Sequence, residues 1–268
     1  MSILVAGLYC HDTLIGNDGE HRALGGSAAY ASAVFEALGE PYNVAAKVGA
    51  DFRYFNEVCK PPKVAGARTT SFIDDYRSGE RREHVDAVCE ALEPSDLQGR
   101  HDAGIACAVS GEVPLRTLQR MRALCGVMLA DAQGLLREIS PQGEVLLKPL
   151  HPDAPAQLDY LKASKAEAAL LDVAQLRTRL TVLITDGPRG CTLLTAREEL
   201  HIPAFPANER DPTGAGDCFL AGFAAGLVRH LPAERAARIG AWFGARAVEH
   251  IGVPRFTPED VRRALEAG

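Results

Sequence analysis

The chain opens on Ile3 to Leu8, an unbroken apolar run of the kind a strand covered on both faces presents. Gly25-Gly26-Ser27 then leads into Ala28 to Leu38, a helical segment of small residues that Gly39 ends. Val44 to Val48 reads as a second strand. Residues 66–90 change character, with Thr69-Thr70-Ser71-Phe72-Ile73 followed by mixed charged residues, and predict short, partly exposed strands outside the main sheet. From Ile105 onward strand and helix alternate. Ile105–Val109, Val127–Ala130, Leu158–Lys162 and Val182–Thr185 are strand-like, and Leu115–Cys125 and Ser164–Leu176 are helix-like. Gly187–Gly190 predicts a turn into a strand at Cys191–Thr195. Long helices follow near Gly214 to Leu231 and from Ala233 through Val248, and Pro258-Glu259-Asp260 opens a last one. This rhythm predicts an α/β fold, a mostly parallel sheet with helices on both faces.

Composition narrows the partners. A length of 268 residues suits one α/β domain spanning 1–268, near the upper size of a single core. Formal net charge is −6 and the basic residues are scattered, so nucleic acid, which calls for a basic patch, is not an expected partner. The pair Arg81-Arg82 reads as solvated surface. Seven cysteines lie far apart with no CxxC and no zinc spacing, as in a reduced cytoplasmic protein. No apolar stretch reaches the roughly 20 residues of a membrane span. The first strand lacks the basic flank and cleavage site of a signal peptide.

The chemistry concentrates at Asp211-Pro212-Thr213-Gly214-Ala215-Gly216-Asp217. Glycines let the backbone approach a ligand closely, and the N–H groups at a helix start lack intrahelical acceptors. Such a terminus suits a phosphoryl group in transfer. Asp217 follows directly, placed to take a proton from an attacking hydroxyl. No Gly-Lys-Ser/Thr follows, so this is not a Walker A loop. No GxSxG elbow is present, and no GxGxxG follows the first strand.

The segment, with Ala221-Gly222 one turn on, resembles the second signature of the ribokinase/PfkB carbohydrate kinases. That resemblance implies a ribokinase-like fold with a small β lid, at about 13–24 and 66–90, hinged near Gly25-Gly26. It implies Asp217 as base, with Gly214, Ala215 and Gly216 as its anion-binding neighbours. Gly25 and Gly26 stand where the family contacts substrate hydroxyls, and Asp12 stands where it places a sugar-binding carboxylate. Val48-Gly49-Ala50-Asp51 is similar to its Val-Gly-x-Asp. Thr185, Gly187 and Gly190 resemble its Thr-x-Gly-x-x-Gly nucleotide turn, and Trp242 to Gly252 its closing helix beside the adenine. Asp211 and Thr213 join the ATP side by the same resemblance.

Three positions depart from the family pattern. Tyr30 replaces an Asn that binds substrate. Ser164-Lys165-Ala166-Glu167 replaces Asn-x-x-Glu, leaving Ser164 on the ATP side and Glu167 toward the water shell of Mg²⁺. Pro212 replaces a Thr. Strings such as Tyr9-Cys10-His11-Asp12, Asp131-Ala132-Gln133 with Arg137, and Leu161-Lys162-Ala163-Ser164 resemble the plant-type myo-inositol kinases, a branch of the family. That branch shares the Pro212 and Tyr30 departures. The resemblance implies ATP-dependent phosphotransfer to a small polyol, myo-inositol above all, with Tyr30 and Arg137 joining the substrate side. A sugar or nucleoside acceptor, a catalytically silent regulator, a monovalent-cation requirement, and a monomer or homodimer stay open at this point.

Overall fold

Strand β1 (Ile3–Ala6) is apolar throughout because both its faces are covered: Ile3 and Val5 join one core, Leu4 and Ala6 another. The computed structural model describes residues 2–17, 19–75, 77–78 and 82–268. Arg81 of the basic pair, and positions 18, 76 and 79–81 within the two ranges expected to form a lid, lie outside the described residues. After β1 come β2 (Cys10–Gly16), β3 (Gly19–Gly25), α1 (Ser27–Leu38), β4 (Tyr42–Ala45), β5 (Lys47–Val48), β6 (Lys63–Val64), β7 (Ser71–Asp75) and β8 (Arg82–Ala87). The middle of the chain holds β9 (His101–Ala106), α2 (Leu115–Leu124), β10 (Cys125–Asp131), α3 (Ala132–Leu136), β11 (Arg137–Ile139), β12 (Val145–Leu147) and β13 (Tyr160–Ser164). Then follow α4 (Lys165–Ala168), α5 (Val173–Leu176), β14 (Thr181–Thr185), β15 (Cys191–Leu194), β16 (Glu199–Ile202), α6 (Ala215–Val228), α7 (Ala233–Ala247) and α8 (Pro258–Ala267).

The main sheet has eight strands in the order β16-β15-β14-β13-β10-β9-β1-β4. From β14 to β4 every neighbour pair is parallel, and β15 and β16 close one edge as antiparallel strands. Helices α1, α6, α7 and α8 cover one face, and α2, α3 and α5 pack against the other. The α/β expectation is met, with mostly parallel strands and helices on both sides.

A second sheet of four strands, β3-β2-β7-β8, stands apart from the main one. Its small apolar cluster, Leu8, Cys10, Phe72 and Val85, is separate from the two larger cores. The hairpin β2–β3 runs through Gly25 straight into Gly26, which caps α1.

Three expected elements form differently. Val44 to Val48 splits, because the main sheet takes β4 while β5 pairs with β6 in a ribbon of its own. The single helix expected over Ser164–Leu176 is two short ones. Asp172 ends the first pattern by accepting a hydrogen bond from the Gln175 N–H at 2.9 Å, starting α5 afresh. The hairpin β11–β12, whose strands are three residues each, and the edge strand β16, which alternates as Glu-Leu-His-Ile but is only four residues long, were not expected. No described helix is long and apolar enough to cross a membrane.

Candidate active site

Open parallel sheets bind ligands beyond the carboxyl ends of their strands. There, a cavity of about 210 Å³ opens between the main sheet, α1, the start of α6 and the inner face of the four-stranded sheet. Asp12, Gly26, Tyr30, Arg137, Thr213, Gly214, Gly216 and Asp217 line it. Gly25 and Ala215 adjoin it in the chain. Ser164, Glu167, Thr185, Gly187, Gly190 and Asp211 do not line it.

Asp217 lies in the first turn of α6, which Gly214 caps at φ 74° and ψ −2°. A left-handed φ is where glycine carries no Cβ penalty. A Cβ at Gly214 would also fall 2.1 Å from Cδ1 of Tyr30. Tyr30, 2% exposed, therefore spends its ring supporting the glycine turn from below. The ring thus packs against the glycine turn while Tyr30 also lines the cavity. Gly214→Ala is expected to lower stability by about 1–3 kcal/mol through strain and this clash. Urea denaturation checks it, and an unchanged midpoint would remove the packing argument.

Asp217 is surrounded by carboxylates. Burial, then the charges of Asp131, Glu112 and Glu167, push its pKa up to about 7, and Lys162 pulls against them. Glu112 is itself buried and raised, although the N–H groups of Val109 and Ser110 donate to it. Lys162 Nζ donates to Asp131 Oδ2 at 2.7 Å, with both side chains buried. Burial alone would drive the proton off Lys162, but Asp131, Glu167 and Asp217 outweigh it and hold its pKa above the ordinary value. A Cβ at Gly216 would sit 2.5 Å from Lys162 Nζ, so the bare glycine is what admits the ammonium to the turn. Asp131 and Lys162 went unassigned from sequence. The available signal is a lone charged residue in each strand, at the end of β10 for Asp131 and in the middle of β13 for Lys162.

At the other end, Asp12 sits on β2, and its carboxylate occupies the space a Gly25 side chain would fill, 1.8 Å from an ideal Cβ. Cys10 Sγ donates to Asp12 Oδ1 at 3.0 Å. Asp74 and Glu83, opposite one another on β7 and β8, line the same ceiling. Arg137 Nη1 lies 3.4 Å from Glu83 Oε1, joining the main body to the four-stranded sheet.

The expected donor-side residues gather near the ends of β13 and β14 and before α6. Ser164 and Glu167 form a reciprocal cap on α4: the Ser164 N–H donates to Glu167 Oε2 at 2.7 Å and the Glu167 N–H to Ser164 Oγ at 3.2 Å. Thr185 ends β14, and Gly187 and Gly190 bracket a tight turn at φ 53° and 89°. Asp211 Oδ1 accepts from the Thr213 N–H at 2.9 Å, shaping the approach to α6. Thr213 Oγ1 is buried with no hydrogen-bond partner among the described residues. Such an atom is costly unless a ligand pairs with it.

Residues 63–260 match the pfkB family carbohydrate kinase model. The chain belongs to the pfkB family of carbohydrate kinases. Over 98% of its length the kinase is 39% identical to an inositol 3-kinase of Zea mays, of which the match covers 76%. It is 41% identical to an inositol 3-kinase of Oryza sativa subsp. japonica over 98% of this chain and 73% of that one. A solved pyrophosphate-dependent kinase in the ribokinase family, complexed with a pyrophosphate analogue and myo-inositol, superposes with a TM-score of 0.82. That match is 20% identical and covers 98% of this chain and 100% of the other. The fold is ribokinase-like.

Proposed function

We propose that this kinase transfers the γ-phosphoryl group of ATP to a hydroxyl of myo-inositol, at the position named for its plant relatives. The observation that carries the reading is Asp217: a carboxylate with a pKa near 7, in the first turn of a glycine-capped helix, across one cavity from Asp12. In this reading Asp12 and the Gly25-Gly26 backbone hold ring hydroxyls, and one hydroxyl points at Asp217. Asp217 takes that proton as the oxygen attacks. The N–H groups at the start of α6 and the Lys162 ammonium offset charge on the transferring phosphoryl oxygens. The unpaired Thr213 Oγ1 and the turn at Gly187–Gly190 support a donor lying along the ends of β13 and β14.

Among the described residues no group of three His, Cys, Asp or Glu could hold a metal ion. Mg²⁺ keeps most of its waters and binds through few carboxylates plus donor phosphates. Glu167 would hold its water shell, and the ion would neutralise phosphate charge. The four-stranded sheet is the lid in this reading, closing over the cavity to exclude water that competes as acceptor.

The test is a panel of acceptors with ATP and Mg²⁺. We expect myo-inositol to give a higher kcat/KM than ribose, fructose or adenosine, because a site built to pair with particular hydroxyls rejects analogues lacking them by up to ~10⁴-fold. A better rate with any of the three would overturn the inositol assignment and leave the kinase. No turnover with any acceptor, alongside intact nucleotide binding, would replace it with a silent regulator.

A further inference from the structure

Among the described residues two cations line the cavity, Lys162 and Arg137, and each faces a carboxylate. The pairs differ in what they span. Asp131–Lys162 joins neighbouring strands of the main sheet beside Gly216, at the phosphoryl end. Glu83–Arg137 joins β8 to β11 beneath the ceiling that Asp12 and Asp74 share. The Glu83 and Arg137 side chains are only 17% and 24% exposed. With its amide turned to satisfy both ends, the Gln133 oxygen accepts from Arg137 Nη1 at 2.8 Å and Nη2 at 3.2 Å. The guanidinium is thus held from two sides.

An arginine at the acceptor end of a kinase pocket is the natural partner for a phosphate already present on the acceptor, since its fork matches phosphate oxygens bidentately. We infer that Glu83 is a specificity-determining residue: by holding Arg137 it commits the cavity to uncharged polyols and turns away acceptors that already carry a phosphate. The inference rests on the acceptor end being where Asp12 lies, as proposed above. Repulsion is the second half of the device. A phosphate here would lie beside the carboxylates of Glu83, Asp74 and Asp12, which line the cavity, and specificity is often set by such unfavourable contacts. A neutral ring of hydroxyls instead finds acceptors on one side and the fixed Gln133–Arg137 edge on the other. Glu83 acts here through Arg137 and the local potential, with no part in the chemical step.

Calorimetry tests this with the donor side filled by a non-hydrolysable ATP analogue. The ligands are myo-inositol, glucose and glucose 6-phosphate, which is a ring of similar size bearing one phosphate. Wild-type protein is expected to bind its preferred neutral ring at least ~100-fold more tightly than glucose 6-phosphate, and Glu83→Gln is expected to narrow that ratio by at least ~10-fold through gained phosphate-ester binding. Adding Arg137→Met to Glu83→Gln should abolish the gain, which a merely loosened lid would not do. Glu83→Ser removes the carboxylate with less bulk and serves if the glutamine variant does not fold. An unchanged ratio in both Glu83 variants overturns the inference, as does wild-type protein that binds glucose 6-phosphate as tightly as the neutral ring. Wild-type protein that binds glucose but not myo-inositol removes the inositol reading alone. Protein that binds neither neutral ring removes both.

Discussion

Asp217→Asn is expected to lower kcat by at least ~100-fold while KM for the acceptor changes little, the pattern for loss of a general base. The amide keeps the shape and removes only the proton acceptor. If Asp217 is the base, as proposed, it works deprotonated, so kcat should climb as pH rises through about 7 and level off above it. Stability should run the other way. The unfolded carboxyl gives up its proton near the ordinary value of 3.8, whereas the folded one holds it to about 7. Between those limits the native state binds more protons, so stability falls as pH rises. Asparagine has nothing to titrate, and at pH 8 the variant should melt on the order of 5 °C above wild type. A near-normal kcat would remove Asp217 as the base. A variant that is inactive but no more stable would keep the base and discard the buried-charge account.

Lys162→Met breaks the buried pair with Asp131 and should cost about 3–5 kcal/mol, because a carboxylate is left uncompensated. Its more specific consequence concerns pH. Lys162 is the group that pulls the Asp217 pKa down against burial and three carboxylates. Without it, the rise of kcat must move to higher pH. A pH–rate profile on folded variant protein measures the shift, and chemical denaturation measures the loss. If the profile keeps its midpoint, Lys162 is structural and takes no part in tuning the base.

How far the sequence disclosed this site depends on how far apart its parts lie. Asp211 to Asp217 was legible because cap, glycine turn and base occupy one short stretch whose local geometry follows from residue type. The strand–helix rhythm was legible for the same local reason, as were the short strands near Phe72. The Asp131–Lys162 pair was not. Its members are 31 residues apart and meet only because β10 and β13 are parallel neighbours that set Asp131 directly opposite Lys162. Nothing in either strand announces the other's register. Glu83 and Arg137, 54 residues apart, meet only once the smaller sheet has been laid over the larger. Tyr30 could be placed near the site by position. Its support of Gly214 required knowing that α1 packs against the start of α6. The helix expected over Ser164–Leu176 failed differently, since Leu170-Leu171 prolong the apolar pattern past the point where Asp172 starts a new turn.

The division of labour between the two sheets has a consequence for how such a catalyst can change. The proposed base, Asp217, lies on α6, and the Asp131–Lys162 pair that bears on it lies on β10 and β13 of the large sheet. Asp74 and Glu83 belong to a ribbon with its own hydrogen-bond ladder and its own small apolar cluster. On the proposed reading, substitutions in β7 and β8 should therefore redraw the list of acceptable alcohols while the proton-transfer geometry stays fixed. The enzyme is in effect a fixed engine with an exchangeable faceplate, and libraries aimed at new polyols belong on the faceplate.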